Sequence, residues 1–228
     1  MKNLLSLIFN STLGKKYLMA LSGAAMFGFV IVHMLGNLLI FPGAEWLNDY
    51  AAKLKSIPEL LWAARLGLLT AVVVHFATGW QLWMENRAAR PEGYLASPNT
   101  GFGSSQASRV MIVSGTVLTV FIIVHIFHFT VQWPNTGYAE LHDEHGRHDV
   151  FAMVTDAFAK PQVVLFYILG VGALCYHLSH GISAMFQSLG LKTKRHEELI
   201  DLLAKVASIG LFIGFSLVPV AIVVGFVK

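Results

Sequence analysis

Residues Phe29 to Asn37 read FVIVHMLGN, an apolar run with one imidazole, His33, near its centre. The rest of the chain is similarly apolar: of its 228 residues, 55% are hydrophobic and only 13% are charged, and the mean hydropathy is +0.62. A soluble domain has about 25% charged residues. The composition therefore indicates a chain that folds in a lipid bilayer, where a histidine in such a run needs a specific reason.

A helix needs about 20 mainly apolar residues to cross the hydrocarbon core of a membrane. Five segments meet that requirement, and we number them spans I to V: residues 16–41, 60–84, 109–133, 161–189 and 206–227. Because lipid offers no partners to backbone polar groups, each is predicted to be a helix. Residues 1–228 are thus predicted as one all-α membrane domain, a five-transmembrane-helix bundle with no convincing internal repeat.

The basic residues are distributed unequally between the two sides of this bundle. The side with the N-terminus has Lys2, Lys15, Lys16, Arg87, Arg90, Arg109, Lys192, Lys194, Arg195 and Lys205. The opposite side has only Lys53, Lys55, Arg147, Lys160 and Lys228. Basic residues are in excess on the cytoplasmic side of membrane proteins, so the N-terminus is predicted to lie in the cytoplasm. A short interfacial helix is predicted before span I. The acidic loop at about 134–160 is predicted outside, and the net charge of +3 reflects topology rather than nucleic-acid binding.

The single cysteine, Cys175, excludes several kinds of redox site. An iron–sulfur cluster normally needs four thiolates or a cysteine–histidine mixture, and covalent haem needs a C-x-x-C-H motif. The strand–GxGxxG–helix unit that binds a dinucleotide is also missing, since Gly101 and Gly103 are followed by Gln106. A flavin or a cluster would therefore have to be on another chain.

Histidines occur in four of the five predicted spans: His33 in I, His75 in II, His125 and His128 in III, and His177 and His180 in IV. Ionisable residues inside a bilayer are costly and usually face the protein interior. Counting residues from the span ends places His33 and His125 at one level in the outer half, and His75 and His177 at another in the inner half. The alternative is a set of neutral histidines, each bonded to a neighbouring helix.

Two pairs of imidazoles in a dry bundle are typical of haem b with two histidine ligands. Zinc would need further ligands, often thiolate or carboxylate, and the spans have almost no Asp or Glu. Small residues near the histidines would give a porphyrin room: Ser22, Gly23, Ala24, Gly28, Gly67, Thr70, Ala71, Ala77, Thr78, Gly79, Ser114, Gly115, Thr116, Gly170, Gly172, Ala173 and Gly181. They are equally what close packing of membrane helices requires.

Three stretches resemble a known family: HMLGN in span I, VHFATGWQLW in span II and YHLSHGISAMFQSLG in span IV. They are similar to the single-chain, five-helix cytochrome b (b558-type) membrane anchor of succinate dehydrogenases and fumarate reductases. The resemblance covers essentially the whole chain, including the histidine-free fifth span. It implies a bundle that binds two b-type haems.

On the matching positions, the resemblance implies that His33 and His125 ligate the iron of the outer haem. His75 and His177 would ligate that of the inner haem. The first histidine of each close pair is the family-like ligand, which selects His125 over His128 and His177 over His180. Spacing alone leaves this choice open, because residues i and i+3 differ by only about 60° around a helix. His128 and His180 would then bond a propionate, a quinone or a carbonyl, or be packed core residues.

The resemblance also implies partners: a flavoprotein subunit with FAD and an iron–sulfur subunit, both on the cytoplasmic face. Electrons would pass between the clusters, the two haems and a membrane quinone, with menaquinone favoured by the family. Two basic groups could receive these subunits: Arg87, Arg90 and Arg109, and Lys192, Lys194 and Arg195. Ordinary positive-inside topology explains the same residues.

A quinone site is expected near the outer haem, with a carboxylate or histidine for proton transfer. Glu59, at the outer start of span II, and His128 are the candidates for that role. Arg65 lies about ten residues outward of His75 and could pair with a haem propionate. Alternatively, the Arg65 side chain extends along the helix and places its charge at the outer membrane interface. No glutamate in span IV offers a proton path.

Two other functions are alternatives to this prediction. The first is a di-haem quinone-reactive anchor for another oxidoreductase, such as a hydrogenase or a formate dehydrogenase, against which the span IV motif argues. The second is a histidine-rich metal transporter that captures metal with His142, His145 and His148. Transport would need carboxylate-bearing spans, which the sequence lacks, and the three loop histidines are also compatible with a solvated surface.

Overall fold

The computed structural model describes residues 9–89, 111–134 and 136–228, and within them the chain forms seven α-helices and no β-strand. The helices are α1 Thr12–Leu38, α2 Ala44–Lys55, α3 Pro58–Ala88, α4 Met111–Ile126, α5 Val150–Phe158, α6 Pro161–Ser188 and α7 Glu197–Val223. A π-helical turn, Phe127–Val131, continues α4, and a 3₁₀ turn covers Tyr138–Glu140. Five helices are long and apolar enough to cross a membrane: α1, α3, α4 with its π turn, α6 and α7.

Local signals at the helix starts explain where several elements begin. Ser11 caps α1 by accepting a hydrogen bond from the backbone N–H of Gly14 at 3.0 Å. Proline opens α3 and α6, where its missing N–H costs nothing. Asp149 caps α5 by accepting a bond from the N–H of Ala152 at 2.9 Å.

The fifth long helix begins at Glu197, well before the predicted start of span V at residue 206. Hydropathy finds only the apolar part, whereas Glu197 and Glu198 occupy a first turn where the helix dipole favours negative charge. Asp201 and Lys205 consequently lie inside α7 rather than in a loop. The interfacial helix predicted before span I lies largely in residues 1–8, outside the described part of the chain, as do Arg90 and Arg109.

The long helices pack around two seams. α6 lies along α7 and α1 lies along α3, with further contacts of α6 with α1 and α4. The centre of the first seam contains Val171, Cys175 and Leu211. Lys15 of α1 is buried and forms an ion pair with Glu85 near the end of α3, which joins these helices at the end of the bundle that holds the N-terminus.

One face of α3 is apolar and uncovered by protein. Trp62, Leu66, Leu69 and Val73 each have more than half of their surface exposed. An exposed stripe of this size would be unstable in water, whereas lipid solvates it without cost. The five apolar helices and this surface together describe a multi-pass membrane protein.

The opposite end of the bundle has a small folded cap instead of a simple loop. Residues 134–160, predicted as a polar loop, include the 3₁₀ turn and α5, and α5 packs on α2, which hydropathy did not find. Asn48 is almost fully buried; its amide donates to Asp149 Oδ1 at 3.0 Å and its Oδ1 accepts from the N–H of Phe151 at 3.0 Å. The guanidinium of Arg147 bonds Glu45 and Asp143.

Candidate functional site

Two histidines from different helices face each other in the half of the bundle nearer the N-terminus. The rings of His75 on α3 and His177 on α6 have centroids 6.3 Å apart and planes at 64°. Nδ1 of His75 lies 3.0 Å from the carbonyl oxygen of Met19, and this nitrogen therefore carries the proton and donates it. The second nitrogen, Nε2, is left with a free lone pair.

His177 is held in a comparable way by α4. The Ser114 hydroxyl donates to the Met111 carbonyl at 3.1 Å, so its oxygen accepts the Nδ1–H of His177 at 3.0 Å. Nε2 of His177 is again the nitrogen with a free lone pair. Both rings thus have a fixed orientation and the same tautomer, which is how the rings of metal-bound histidines are usually held.

A second pair occupies the other half of the bundle. The rings of His33 on α1 and His125 on α4 are 5.8 Å apart and nearly perpendicular, at 78°. Phe29 stacks on His33 at 5.3 Å, and Phe121 stacks on His125 at 6.1 Å. Nδ1 of His125 is buried with no hydrogen-bond partner among the described residues. A buried polar atom without a partner is costly, which indicates that this site is incomplete without a ligand.

Helix geometry fixes the separation of the two pairs. Ser22 lies beside His75, with its hydroxyl 3.4 Å from Nδ1, and His33 follows eleven residues later on the same helix. At the helical rise of 1.5 Å per residue, the pairs are about 16 Å apart along the bundle. On α4 the interval from Ser114 to His125 is also eleven residues.

Glycines bring two of the rings close to neighbouring helices. A Cβ at Gly23 would lie 3.2 Å from Cε1 of His75, which is tighter than normal packing. A Cβ at Gly115 would lie 3.5 Å from Cε1 of His177, an ordinary contact. The approach of α1 to His75 therefore requires glycine, whereas α4 has slightly more room.

These positions reveal an internal repeat that the sequence analysis missed. Residues 19–33 read MALSGAAMFGFVIVH and residues 111–125 read MIVSGTVLTVFIIVH, with seven of 15 positions identical. The shared residues are those at the site: the methionine carbonyl, the serine, the glycine, the stacking phenylalanine and the histidine. His75 and His177 are also alike, each followed four residues later by glycine. The two histidine pairs are thus made by equivalent positions of two similar helix pairs.

The other two histidines predicted in the spans, His128 and His180, have polar neighbours of their own. His128 lies in the π turn, and its Nδ1 is 3.0 Å from the hydroxyl of Tyr167 on α6. His180 lies one turn beyond His177, within electrostatic range of Lys192 and Asp201. The structure therefore brings His125 and His177 each opposite a second imidazole.

Glu59 and Arg65 both lie on the exposed surface of α3. Glu59 is in the first turn, and the Arg65 guanidinium lies 5.2 Å from the Trp62 ring, one turn towards the α2 end of the helix. Within the described residues, no hydrogen bond or ion pair joins either side chain to the four paired histidines. Both side chains therefore lie on the outer surface of the bundle.

An ionic cluster at the N-terminal end of α7 was also missed. The Lys192 ammonium donates to Asp201 at 2.8 Å and to the Ser183 hydroxyl at 3.0 Å, and that hydroxyl donates to Asp201 at 2.5 Å. The polar start of α7 is the signal that could have found it. Lys192 is therefore engaged within the chain, while Arg87 lies 5.1 Å from the ring of Trp83.

The loop histidines do not form a metal site. His142 Nδ1 lies 2.9 Å from the Glu140 carbonyl, and His145 approaches Glu45 at 3.7 Å. In the part of the chain that the structure describes, no group of three or more His, Cys, Asp or Glu side chains is arranged to hold a metal ion. The donors available inside the bundle are pairs of imidazoles.

Residues 85–216 match the family described as succinate dehydrogenase/fumarate reductase transmembrane subunit. No curated protein and no solved structure matches the chain. The matched region covers more than half of the 228 residues and runs from the end of α3 into α7, through His125 and His177. The chain therefore belongs to the family of transmembrane subunits that anchor succinate dehydrogenase and fumarate reductase complexes in the membrane.

Proposed function

We propose that this chain is a di-haem cytochrome b that carries electrons between an iron–sulfur subunit and a membrane quinone. His33 and His125 would hold one haem b, and His75 and His177 the other. The observation that carries the proposal is the presence of two imidazole pairs, each drawn from two helices, at two levels of the bundle.

The geometry of the pairs suits haem. Two imidazoles on opposite sides of one metal ion, with metal–nitrogen bonds of about 2 Å, have centroids roughly 6 Å apart. The separations of 5.8 Å and 6.3 Å fit that arrangement. The donor set also fits, because each pair would supply the two histidine ligands of one haem iron, whereas zinc would need a third and a fourth ligand.

The residues of this chain would bind and orient the cofactors, and haem, when bound, would supply one-electron transfer. Met19 and Ser114 fix the tautomers of His75 and His177, leaving Nε2 as the ligand atom. Phe29 and Phe121 limit the rotation of His33 and His125. Gly23 gives His75 space against α1. The apolar bundle excludes water from both levels.

The orientation of the proposal follows from charge. The excess of basic residues on the side of the N-terminus favours a cytoplasmic location for that side, which would make the pair His75 and His177 the inner one. A flavoprotein subunit with FAD and an iron–sulfur subunit would dock there. Arg87, Lys194 and Arg195 are basic residues of that face, and Lys192 would instead support the local fold through Asp201.

The quinone, for which menaquinone is our proposal, would react near the outer pair. His128 is half-buried and lies close to the lipid-exposed residues Phe127 and Val131. Glu59 and Arg65 lie on the exposed face of α3, where they could meet a quinone or a haem propionate. His180 would act at the inner level, close to Lys192 and Asp201.

A spectrum of the purified protein tests this function. The reduced protein is expected to show a b-type α-band, with two haems per chain by pyridine haemochrome. A colourless protein would overturn the proposal. A hydrogenase or formate dehydrogenase anchor would give the same spectrum, but membership of the succinate dehydrogenase family argues against it. Co-purification of a flavoprotein that oxidises succinate or reduces fumarate separates the two.

A further inference from the structure

Three short polar contacts lie between the outer histidine pair and the cap. The Nδ1 of His128 is 3.0 Å from the Tyr167 hydroxyl. The Tyr138 hydroxyl donates to Asp156 Oδ2 at 2.9 Å, and the Lys160 ammonium donates to the same oxygen at 3.0 Å. Four separate elements supply these groups: the π turn, α6, the 3₁₀ turn and the α5 end.

The two phenols connect the contacts. Tyr138 and Tyr167 are both buried, at 5% and 6% exposure. The ring of His128 is 6.2 Å from that of Tyr138 and 5.8 Å from that of Tyr167. Asp156 has more than half of its side chain exposed. The series therefore begins at a half-buried imidazole in the membrane and ends at a carboxylate in water.

The internal repeat indicates that these residues are not needed to hold the histidine pairs. In the first repeat the position of His128 is occupied by Gly36, and that of Tyr167 is occupied by Arg65. The π turn also occurs in the second repeat alone among the described residues. π turns are frequent at functional sites. The outer end of the second repeat thus has an imidazole and a phenol where the first has glycine and arginine.

We propose that Asp156, Tyr138, Tyr167 and His128 form a proton path between the outer aqueous phase and a quinone bound beside His128. The proposal rests on the proposed function and deepens it. Asp156 is the outer terminus of the path, and His128 is the group that touches the quinone.

The transfers balance as follows. A quinone takes up two electrons, one at a time from the redox centre of the complex, and two protons to become a quinol. For each proton, the N–H bond of His128 that faces the quinone breaks as an O–H bond forms on the quinone. Tyr167 then gives its hydroxyl proton to the other ring nitrogen of His128, Tyr138 replaces that proton through a bridging water, and Asp156 passes to Tyr138 a proton taken up from the outside. The His128 ring then reorients, so that its new N–H faces the quinone for the second transfer. Quinol oxidation reverses every transfer.

The charges around the outer terminus suit this role. Hydrogen bonds from Lys160 and Tyr138 hold the pKa of Asp156 below its usual value, so it is a carboxylate at neutral pH and accepts protons. Burial, with the bond to Asp156, raises the pKa of Tyr138 to about 12, so this phenol keeps its proton. The positive charge of Lys160 also acts on His128. His148 forms a hydrogen bond with the backbone of Tyr138.

The test uses the complete complex in liposomes, with succinate-driven quinone reduction as the first readout. Asp156→Asn is expected to slow the reaction about tenfold, less than the direct loss of an acid–base group. Asp156→Glu should restore the rate, and added acetate should restore part of it in Asp156→Asn alone. Tyr138→Phe, which keeps the buried ring, should slow the reaction to a similar extent.

The matched control is Glu144→Gln, which removes a second exposed acidic group of the cap. Haem content is measured for every variant; if Asp156→Asn loses haem, Tyr138→Phe decides. Wild-type rates in both Asp156→Asn and Tyr138→Phe would overturn the path and leave the di-haem function standing. Slow variants that neither Asp156→Glu nor acetate rescues would also overturn it. A wild-type complex without haem or quinone reaction would overturn both proposals.

Discussion

The Ser114 hydroxyl lies 3.0 Å from Nδ1 of His177, in a place equivalent to that of Ser22 beside His75. The two histidines nevertheless differ in their main hydrogen-bond partner. His75 donates to the Met19 carbonyl at 3.0 Å and has Ser22 only at 3.4 Å, whereas His177 depends on its serine. Two similar helix pairs thus orient their histidines through different atoms.

This difference predicts unequal effects of two matched substitutions. Ser114→Ala removes the acceptor of His177 Nδ1 and is expected to weaken haem retention by about 10–100-fold, the usual effect of losing such a partner. Ser22→Ala should have a small effect, because Met19 still holds His75. Haem dissociation to apomyoglobin in detergent measures both. Equal losses in the two variants would contradict the tautomer assignment.

Gly23 gives a second prediction. Gly23→Ala places a Cβ against the His75 ring at 3.2 Å and should lower the content of one haem, whereas Gly115→Ala, at 3.5 Å, should be mild. Gly210→Ala, at an exposed position of α7, is the control for a general effect on helix stability. Haem content per chain and thermal unfolding of each variant provide the comparison. Full haem content in Gly23→Ala would mean that the ring tolerates displacement.

The ion pair between Lys15 and Glu85 predicts an asymmetry in stability. Lys15 is buried, whereas Glu85 is almost half exposed. Glu85→Gln leaves a buried ammonium without its partner and should lower Tm more than Lys15→Met, which replaces the charge with an apolar chain. Thermal unfolding in detergent at neutral pH measures the difference. The reverse order would show that the pair is not buried in the membrane-bound protein.

The cap should loosen in acid. The hydrogen bond from Arg147 holds the pKa of Glu45 below its usual value. A carboxyl with a lowered pKa in the folded state stabilises that state above its unfolded pKa of about 4.3, and the contribution is lost as pH falls through the folded pKa. Hydrogen exchange of α2, corrected for the intrinsic effect of pH, should therefore rise below about pH 4. Arg147→Met should remove most of this dependence, and an equally protected α2 in acid would refute it.

Hydropathy was sufficient to predict the long helices, because lipid selects length and apolarity alone. It could not find α2, whose stability comes from Asn48 and from residues about a hundred positions later. Counting residues from the span ends correctly placed His33 level with His125 and His75 level with His177. It could not distinguish His125 from His128, since that depends on the π turn and on Tyr167.

The repeat was visible in the sequence but escaped a search guided by hydropathy. Its shared residues are mostly small or apolar, and they are significant only when Met19, Ser22 and Gly23 are seen around His75. The ionic cluster of Lys192 and Asp201 was missed because span V was predicted to begin after it.

Haem stoichiometry across six histidine variants tests the central claim most directly. The wild type is expected to hold two haems b per chain by pyridine haemochrome, and His33→Ala, His75→Ala, His125→Ala and His177→Ala should each hold fewer. His128→Ala and His180→Ala, the matched controls one turn away, should keep both. Loss of haem in the controls with full occupancy in the four paired variants would contradict the account.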